Sequence, residues 1–390
     1  MRSTRLSVLA ALVSGVAAQN ATFLAAFLQE LQRENLTSLA TFASQINGTS
    51  TGSFLLSQLG TKQQTIFAPS NNAWAGAHSN ITSSPELLAD TLAYHVVPGT
   101  FNNTATFPNT TIGRTLFNDS SLVFLEGGKS QVLAWTNESG SIHILNQNTP
   151  AIVTVLNSTQ FQNLTINIVD AVIDLPGELS AAISANNLSS FSSAATSAGL
   201  LTSLNSQHGI TIFAPNDAAF SFVQSNLTQA GSNATVLQDI LLNHVINGST
   251  IYTGNLISSG SATTAAGQSI KASFNSTGGF VTVGNATAKI LTPDIILWNG
   301  VLHIIDHVLF DEDVNQAAAS SAISSASVAA TSSATETGPI GFTPSPTSSS
   351  GSSSSSSAAG SITYQIPFMQ IGVTGLISTA GLIFGTLLVV

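Results

Sequence analysis

The sequence predicts an α+β protein made of two tandem copies of one domain, and three observations carry that reading. A ten-residue stretch occurs twice, as T-I-F-A-P-S-N-N-A-W at Thr65–Trp74 and T-I-F-A-P-N-D-A-A-F at Thr211–Phe220. A helical run ending in histidine follows each time, L-A-Y-H-V-V-P-G at Leu92–Gly99 and L-L-N-H-V-I-N-G at Leu241–Gly248. Each copy then closes on an aspartate in a β-branched run, N-I-V-D-A-V-I at Asn167–Ile173 and H-I-I-D-H-V-L at His303–Leu309. An asparagine stands the same distance before each aspartate, Asn163 and Asn299. A period this long marks a duplicated domain rather than a solenoid repeat.

The repeated stretch reads as a corner between a sheet and a helix. Thr-Ile-Phe alternates as a half-buried strand does. Pro69 and Pro215 cannot donate to a sheet ladder, so the strand should end there. Ser70 and Asn216 follow at once, and their side-chain oxygens suit a helix N-cap.

Taken in order, residues 1–18 have the form of a secretory signal: Arg2 and Arg5, an apolar Leu6–Val16, then small residues before Gln19. Copy one opens with an amphipathic stripe, Phe23, Leu24, Phe27, Leu28 and Leu31, and a second helical run, Leu36 to Ile46. Ser84-Pro-Glu is a helix start, and Leu88 and Leu92 put His95 on the apolar side. β-like runs follow at Leu122–Leu125, Val132–Trp135, Ile142–Leu145 and Ile152–Leu156. Copy two offers Ile270–Phe274, Phe280–Val283, Lys289–Leu291 and Ile295–Leu297. The longer histidine-to-aspartate stretch in copy one is expected to be loop or one more hairpin. Leu175-Pro176-Gly177 leaves almost no linker before the helical Glu178–Leu204 run.

The ordered set T-I-F-A-P-x-[ND], then [YN]-H-V, then N-x6-[IV]-D-x-[VI], seen twice, resembles the fasciclin (FAS1) domain family. The resemblance implies fasciclin-like domains over 20–175 and 177–311, each a small β-sandwich or wedge with packed helices. In that family the histidine belongs to a tyrosine–histidine motif linked with adhesion. Copy one matches at Tyr94-His95; copy two departs, with Asn243 before His244. The segment around Asp170 and Asp306 is associated in the family with receptor binding.

Hydrophobic residues make up 43% of the chain but charged residues only 7%. Sugars can supply the missing solubility, because N-x-S/T sequons stand at Asn20, Asn35, Asn47, Asn80, Asn102, Asn109, Asn118, Asn137, Asn157, Asn187, Asn226, Asn233, Asn247, Asn275 and Asn285. A further sequon, Asn163, directly precedes a core strand and is the least suited to a glycan. The net charge of −10 comes without any basic cluster, so nucleic acid is not an expected partner. The absence of cysteine rules out thiol catalysis and disulfides.

Residues 315–362 are nearly all Ser, Thr, Ala, Gly and Pro and read as a disordered, O-glycosylated stalk. The 363–390 tail is apolar, with small residues before it, as in a GPI signal with attachment near Ser357. The protein is then expected on the extracellular face of the plasma membrane, or in a cell wall.

Chemistry is sparse. His303 and His307 fall on one strand-like run and are too far apart to share a zinc. His95 and His244 read as core histidines with both ring nitrogens hydrogen-bonded. Asp170 and Asp306 belong to separate copies and read as equivalents of one structural position, not as a catalytic pair. No nucleophile elbow or phosphate loop is present. No cofactor is expected. The reading is a non-enzymatic surface glycoprotein for cell adhesion or for contact with cell-wall or matrix proteins or glycans. An extracellular lipid or glycan binder, and behind it a secreted hydrolase, are the alternatives.

Overall fold

In the computed structural model the described residues are 21–101, 104–106, 109–145, 152–223, 234–331, 336 and 338–341. All belong to the compact unit that ends at Thr343. The leader 1–18, the tail 363–390, Ser357, and the sequons Asn20, Asn102, Asn226 and Asn233 lie outside them.

The first domain begins with helices. Residues 21–33 form α1, followed by α2 (Thr37–Gln45) and α3 (Ser50–Leu59). The apolar stripe of α1 buries Phe27 and Leu31, and Phe23 and Phe27 close on Phe161. Strand β1 (Gln64–Pro69) is buried throughout and ends on its proline. Ser70 Oγ then accepts from Ala73 N at 3.1 Å and starts α4 (Asn71–Ala75). Helices α5 (Ser79–Ser83) and α6 (Pro85–Tyr94) follow, the latter capped by Ser84 with Pro85 at its first position.

The remaining strands are β2 (Val96–Pro98), β3 (Thr111–Arg114), β4 (Val132–Glu138), β5 (Ser141–Leu145), β6 (Ile152–Phe161) and β7 (Leu164–Val169). They form one sheet in the order β2-β1-β7-β6-β5-β4-β3. The first and last strands, β1 and β7, pair in parallel at its heart, with Ile66 opposite Ile166. A register shift bends β6 between Val155 and Asn157. Phe67 on β1 meets Trp135 on β4 with ring centroids 5.4 Å apart, so the two halves of the sheet close on one core as a wedge.

The second domain repeats this plan. Helices α7 (Leu179–Ala185), α8 (Ser189–Ser197) and α9 (Leu201–Ser206) lead to β8 (Ile210–Pro215). Asn216 Oδ1 caps α10 (Asp217–Phe222), accepting from Ala219 N at 2.8 Å. After α11 (Ala234–Leu242) come β9 (Val245–Asn247), α12 (Thr253–Ser259), β10 (Ser261–Thr263), β11 (Ser269–Asn275), β12 (Gly278–Val283), β13 (Ala286–Leu297) and β14 (Gly300–Ile305). The sheet order, read from β9, is β9-β8-β14-β13-β12-β11-β10, strand for strand that of the first domain. Again the outermost strands of the copy, β8 and β14, pair in parallel, with Ile212 opposite Leu302.

Two local expectations are corrected and a third is narrowed to one of its alternatives. Leu122–Leu125 is not a strand: Val123 and Leu125 are buried from an irregular segment that runs along the second domain. Lys289–Leu291 and Ile295–Leu297 are one strand, β13, interrupted by register shifts around Pro293 and Asp294. Proline lacks the ladder N–H, and a bulge is how a strand accommodates it. The extra length of copy one is irregular loop, since the two sheets have the same strand order and number.

The expectation of a disordered stalk over 315–362 also fails at its start. Gln316–Ala330 forms a helix, α13, capped by Asn315 Oδ1 accepting from Ala318 N at 3.0 Å. Residues 336 and 338–341 continue along the domains, with Ile340 buried. Alanine favours helix more than any other residue, and docking supplies the burial that composition alone did not promise.

Candidate functional site

The repeated histidine ties together three parts of each domain. His95 ends α6 and is almost wholly buried. Its backbone carbonyl accepts from Phe67 N of β1 at 2.9 Å. Its Nε2 accepts from Ile173 N, beyond the closing aspartate, at 2.9 Å. The ring proton therefore sits on Nδ1, which donates to Thr91 O at 2.7 Å. In the second domain His244 O accepts from Phe213 N at 2.8 Å, Nε2 accepts from Leu309 N at 2.8 Å, and Nδ1 donates to Ile240 O at 2.9 Å. Burial lowers both imidazoles to about 4, so the rings are neutral at physiological pH.

The residue before each histidine differs, and so does its use. Tyr94 is 3% exposed, set edge-on to Phe117 at 5.9 Å, and burial pushes its phenol above the usual range. Asn243 is buried; its amide donates to Asp311 O at 3.0 Å and its Oδ1 accepts from Thr264 Oγ1 at 2.9 Å. Neither side chain presents itself to a partner surface.

The two aspartates are equivalent and lie far out on their domains. Asp170 is exposed, and its Oδ1 accepts from Thr154 N at 2.8 Å. Asp306 Oδ1 accepts from Lys289 N at 2.7 Å and faces His307 Nδ1 at 2.7 Å. Each carboxylate thus holds the strand opposite the end of the parallel pair.

Two groups have a structural role that the sequence did not assign. The first is the asparagine pair. Asn163 Nδ2 donates to Leu59 O at 2.8 Å and to Lys62 O, and Asn299 Nδ2 donates to Leu204 O at 2.9 Å and Gln207 O at 2.9 Å. In both domains the amide closes the end of a helix against the sheet; the equal spacing from the aspartates was the signal. The second is Asp294, 1% exposed, with φ of 56° at the bulge of β13. Its carboxylate accepts from Thr253 N at 2.8 Å and from the Thr110 hydroxyl of the first domain. His303 lies behind it, stacked on Phe213 at 5.2 Å, its Nδ1 accepting from Asp294 N at 3.2 Å. Burial lowers the His303 imidazole, against the pull of the Asp294 carboxylate. Nothing in the local sequence marks Asp294.

Asp294 belongs to the joint between the domains. There Phe124 N donates to Trp298 O at 2.8 Å, Gly209 N to Phe124 O at 3.0 Å, and Gln131 Nε2 to Leu297 O at 3.0 Å. The Phe124 and Trp298 rings meet edge to face at 4.8 Å. A cleft of about 480 Å³ opens beside them, lined by Phe124, Glu178, Leu201, Asn205, His208 and Trp298. Among the described residues no three His, Asp or Glu side chains are grouped to hold a metal ion, and no helix is long and apolar enough to cross a membrane. Of the described sequons, Asn35, Asn47, Asn80, Asn109, Asn118, Asn157, Asn187, Asn275 and Asn285 are exposed, while Asn137 and Asn247 are half-buried.

The duplicated wedge with its histidine tie defines a class of domain, and comparison with known proteins identifies it. The fasciclin domain matches at residues 34–176 and 186–311, and the chain belongs to that family. It is 24% identical over 275 residues to a fasciclin-like arabinogalactan protein of Arthroderma benhamiae, a match covering 68% of this chain and 62% of that one. It is 24% identical over 264 residues to the transforming growth factor-beta-induced protein ig-h3 of Sus scrofa, covering 64% of this chain and 35% of the relative. The chain thus spans less than two thirds of the length of either relative. A solved fasciclin domain pair from the insect cell adhesion molecule fasciclin I aligns at 18% identity with a TM-score of 0.34, over 70% of this chain and 97% of that one.

Proposed function

We propose that the chain is a non-enzymatic cell-surface glycoprotein that mediates adhesion or contact with cell-wall or matrix proteins and glycans. The observation that carries this reading is the pair of fasciclin domains spanning residues 34–311. The relatives named above support it at the level of family. The exposed sequons support a sugared exterior. A GPI anchor at the end of the Ser-rich segment would hold the pair at the outer face of the plasma membrane, where many weak contacts add.

The test is attachment. Cells displaying the full chain should adhere to a cell-wall or matrix surface more than cells displaying the same chain without residues 20–311; equal attachment would refute the adhesion reading. Release of the protein from intact cells by phospholipase C checks the anchor separately.

The cleft at the joint favours a second reading, an extracellular lipid or glycan binder. Ring faces of Phe124 and Trp298 beside Glu178 and Asn205 have the mixed character of a small-molecule site. A thermal-shift screen against oligosaccharides and lipids decides it, and no shift with any of them removes it.

A further inference from the structure

Residues 315–331, 336 and 338–341 lie beyond the matched fasciclin domains, yet they touch both. Helix α13 starts on the second domain, where Asn315 N donates to Ala266 O at 2.7 Å. A Cβ on Gly267 would overlap the Asn315 carbonyl there. The helix ends on the first domain, where a Cβ on Gly127 would overlap the Ala330 carbonyl. Each end is therefore seated on backbone with no side chain between.

Further contacts at the joint come from Glu336 and residues 338–341. Glu336 accepts from Arg114 of β3 through Nε at 2.9 Å and Nη2 at 2.6 Å, while Arg114 Nη1 holds Ser130 O at 2.8 Å. Ile340 N donates to Ile112 O at 2.9 Å. The Ile340 side chain, 6% exposed, completes a core cluster with Ile112, Val132 and Ala134 of the first domain and Tyr252, Ile296 and Val301 of the second. A Cβ on Gly254 would meet the Ile340 carbonyl, so the strap is pressed on the second domain as well.

We propose that residues 315–331, 336 and 338–341 act as a strap that fastens the two fasciclin domains at their joint. The working unit then extends some thirty residues past the second domain. Its Ala- and Ser-rich composition serves seating along one stripe: Ala319 is buried and Ala318, Ala322, Ala326 and Ala330 are half-buried, while the rest of α13 is exposed. If the chain is tethered as proposed above, a pull from the C-terminal side meets Ile340 between the domains before it reaches the second sheet. The fastening itself does not depend on that reading.

Hydrogen exchange on the full-length protein tests the strap. Ile340→Asp and Glu336→Lys both lie outside the two sheets; Val328→Lys, at a 72% exposed position of α13, is the control. The amides of Phe124 and Gly209 cross the joint, whereas those of Ile173 and Leu309 close the histidine ties within each domain. The expected result is exchange at Phe124 and Gly209 faster by about tenfold or more in the two strap variants, with Ile173, Leu309 and the control unchanged. Unchanged exchange at the joint in both strap variants would overturn the proposal. So would an equal rise at all four amides, which would make the segment part of the global fold rather than a fastening.

Discussion

The Leu309 amide donates to Nε2 of His244 at 2.8 Å, joining the end of a helix to the chain just past the last strand of the second domain. Replacing His244 by Phe keeps a planar ring, adds some volume and removes both ring hydrogen bonds, leaving Leu309 N buried without an acceptor. We expect a loss of about 2–4 kcal/mol in urea unfolding. A loss under about 0.5 kcal/mol would show that the tie is not structural.

The same imidazoles set a pH dependence. Their folded values, about 4, lie below the ordinary 6.5, so the unfolded chain takes up protons first. Their contribution is complete above pH 6.5 and is lost as pH falls from 6.5 toward 4. Asp90 acts the other way. Burial and then the neighbouring Asp119 raise it from 3.8 to about 6, so the native carboxyl protonates first and stability is gained as pH falls through that window. Asp90→Asn should therefore raise the unfolding midpoint at pH 7 and steepen its fall between pH 6.5 and 4. A parallel shift of the whole curve would contradict the opposition of these groups.

Asn163 is predicted to carry no glycan despite its sequon, because its amide is committed to Leu59 O and Lys62 O. Glycopeptide mass spectrometry of the secreted chain should find the Asn163 peptide unmodified and exposed Asn285 occupied. Full occupancy at Asn163 in folded protein would contradict the assignment.

Asn299→Ala frees the carbonyls of Leu204 and Gln207 from a buried donor. The expected cost is about 2–3 kcal/mol, read by thermal unfolding. Asn299→Asp should cost at least as much, since a carboxylate cannot donate; a neutral result for either would show those carbonyls find water instead.

Phe124→Ala should loosen the joint while sparing each domain. The change removes the half-buried ring packed edge to face on Trp298, at about 1–2 kcal/mol. Two separate thermal transitions are expected where the parent shows one; a single transition at lower temperature would mean the domains unfold together regardless.

What the sequence by itself determined was local or duplicated. Proline and a capping residue at Pro69-Ser70 and Pro215-Asn216 make the corner by backbone chemistry alone, and the structure has both caps. The recurrence of histidine and aspartate in order named the domain because two copies checked each other. Tertiary structure alone decided the rest. The parallel pairing of β1 with β7 joins residues a hundred positions apart, which no periodicity encodes. Pro293-Asp294 looked like the end of a strand, yet the strand continues through a bulge that turns the Asp294 carboxylate onto Thr110 of the other domain. Residues 316–331 and 338–341 looked too polar and small to order themselves, and by themselves they bury little. They are held because two finished domains offer a surface that small residues fit closely, and that surface exists only after both domains have folded.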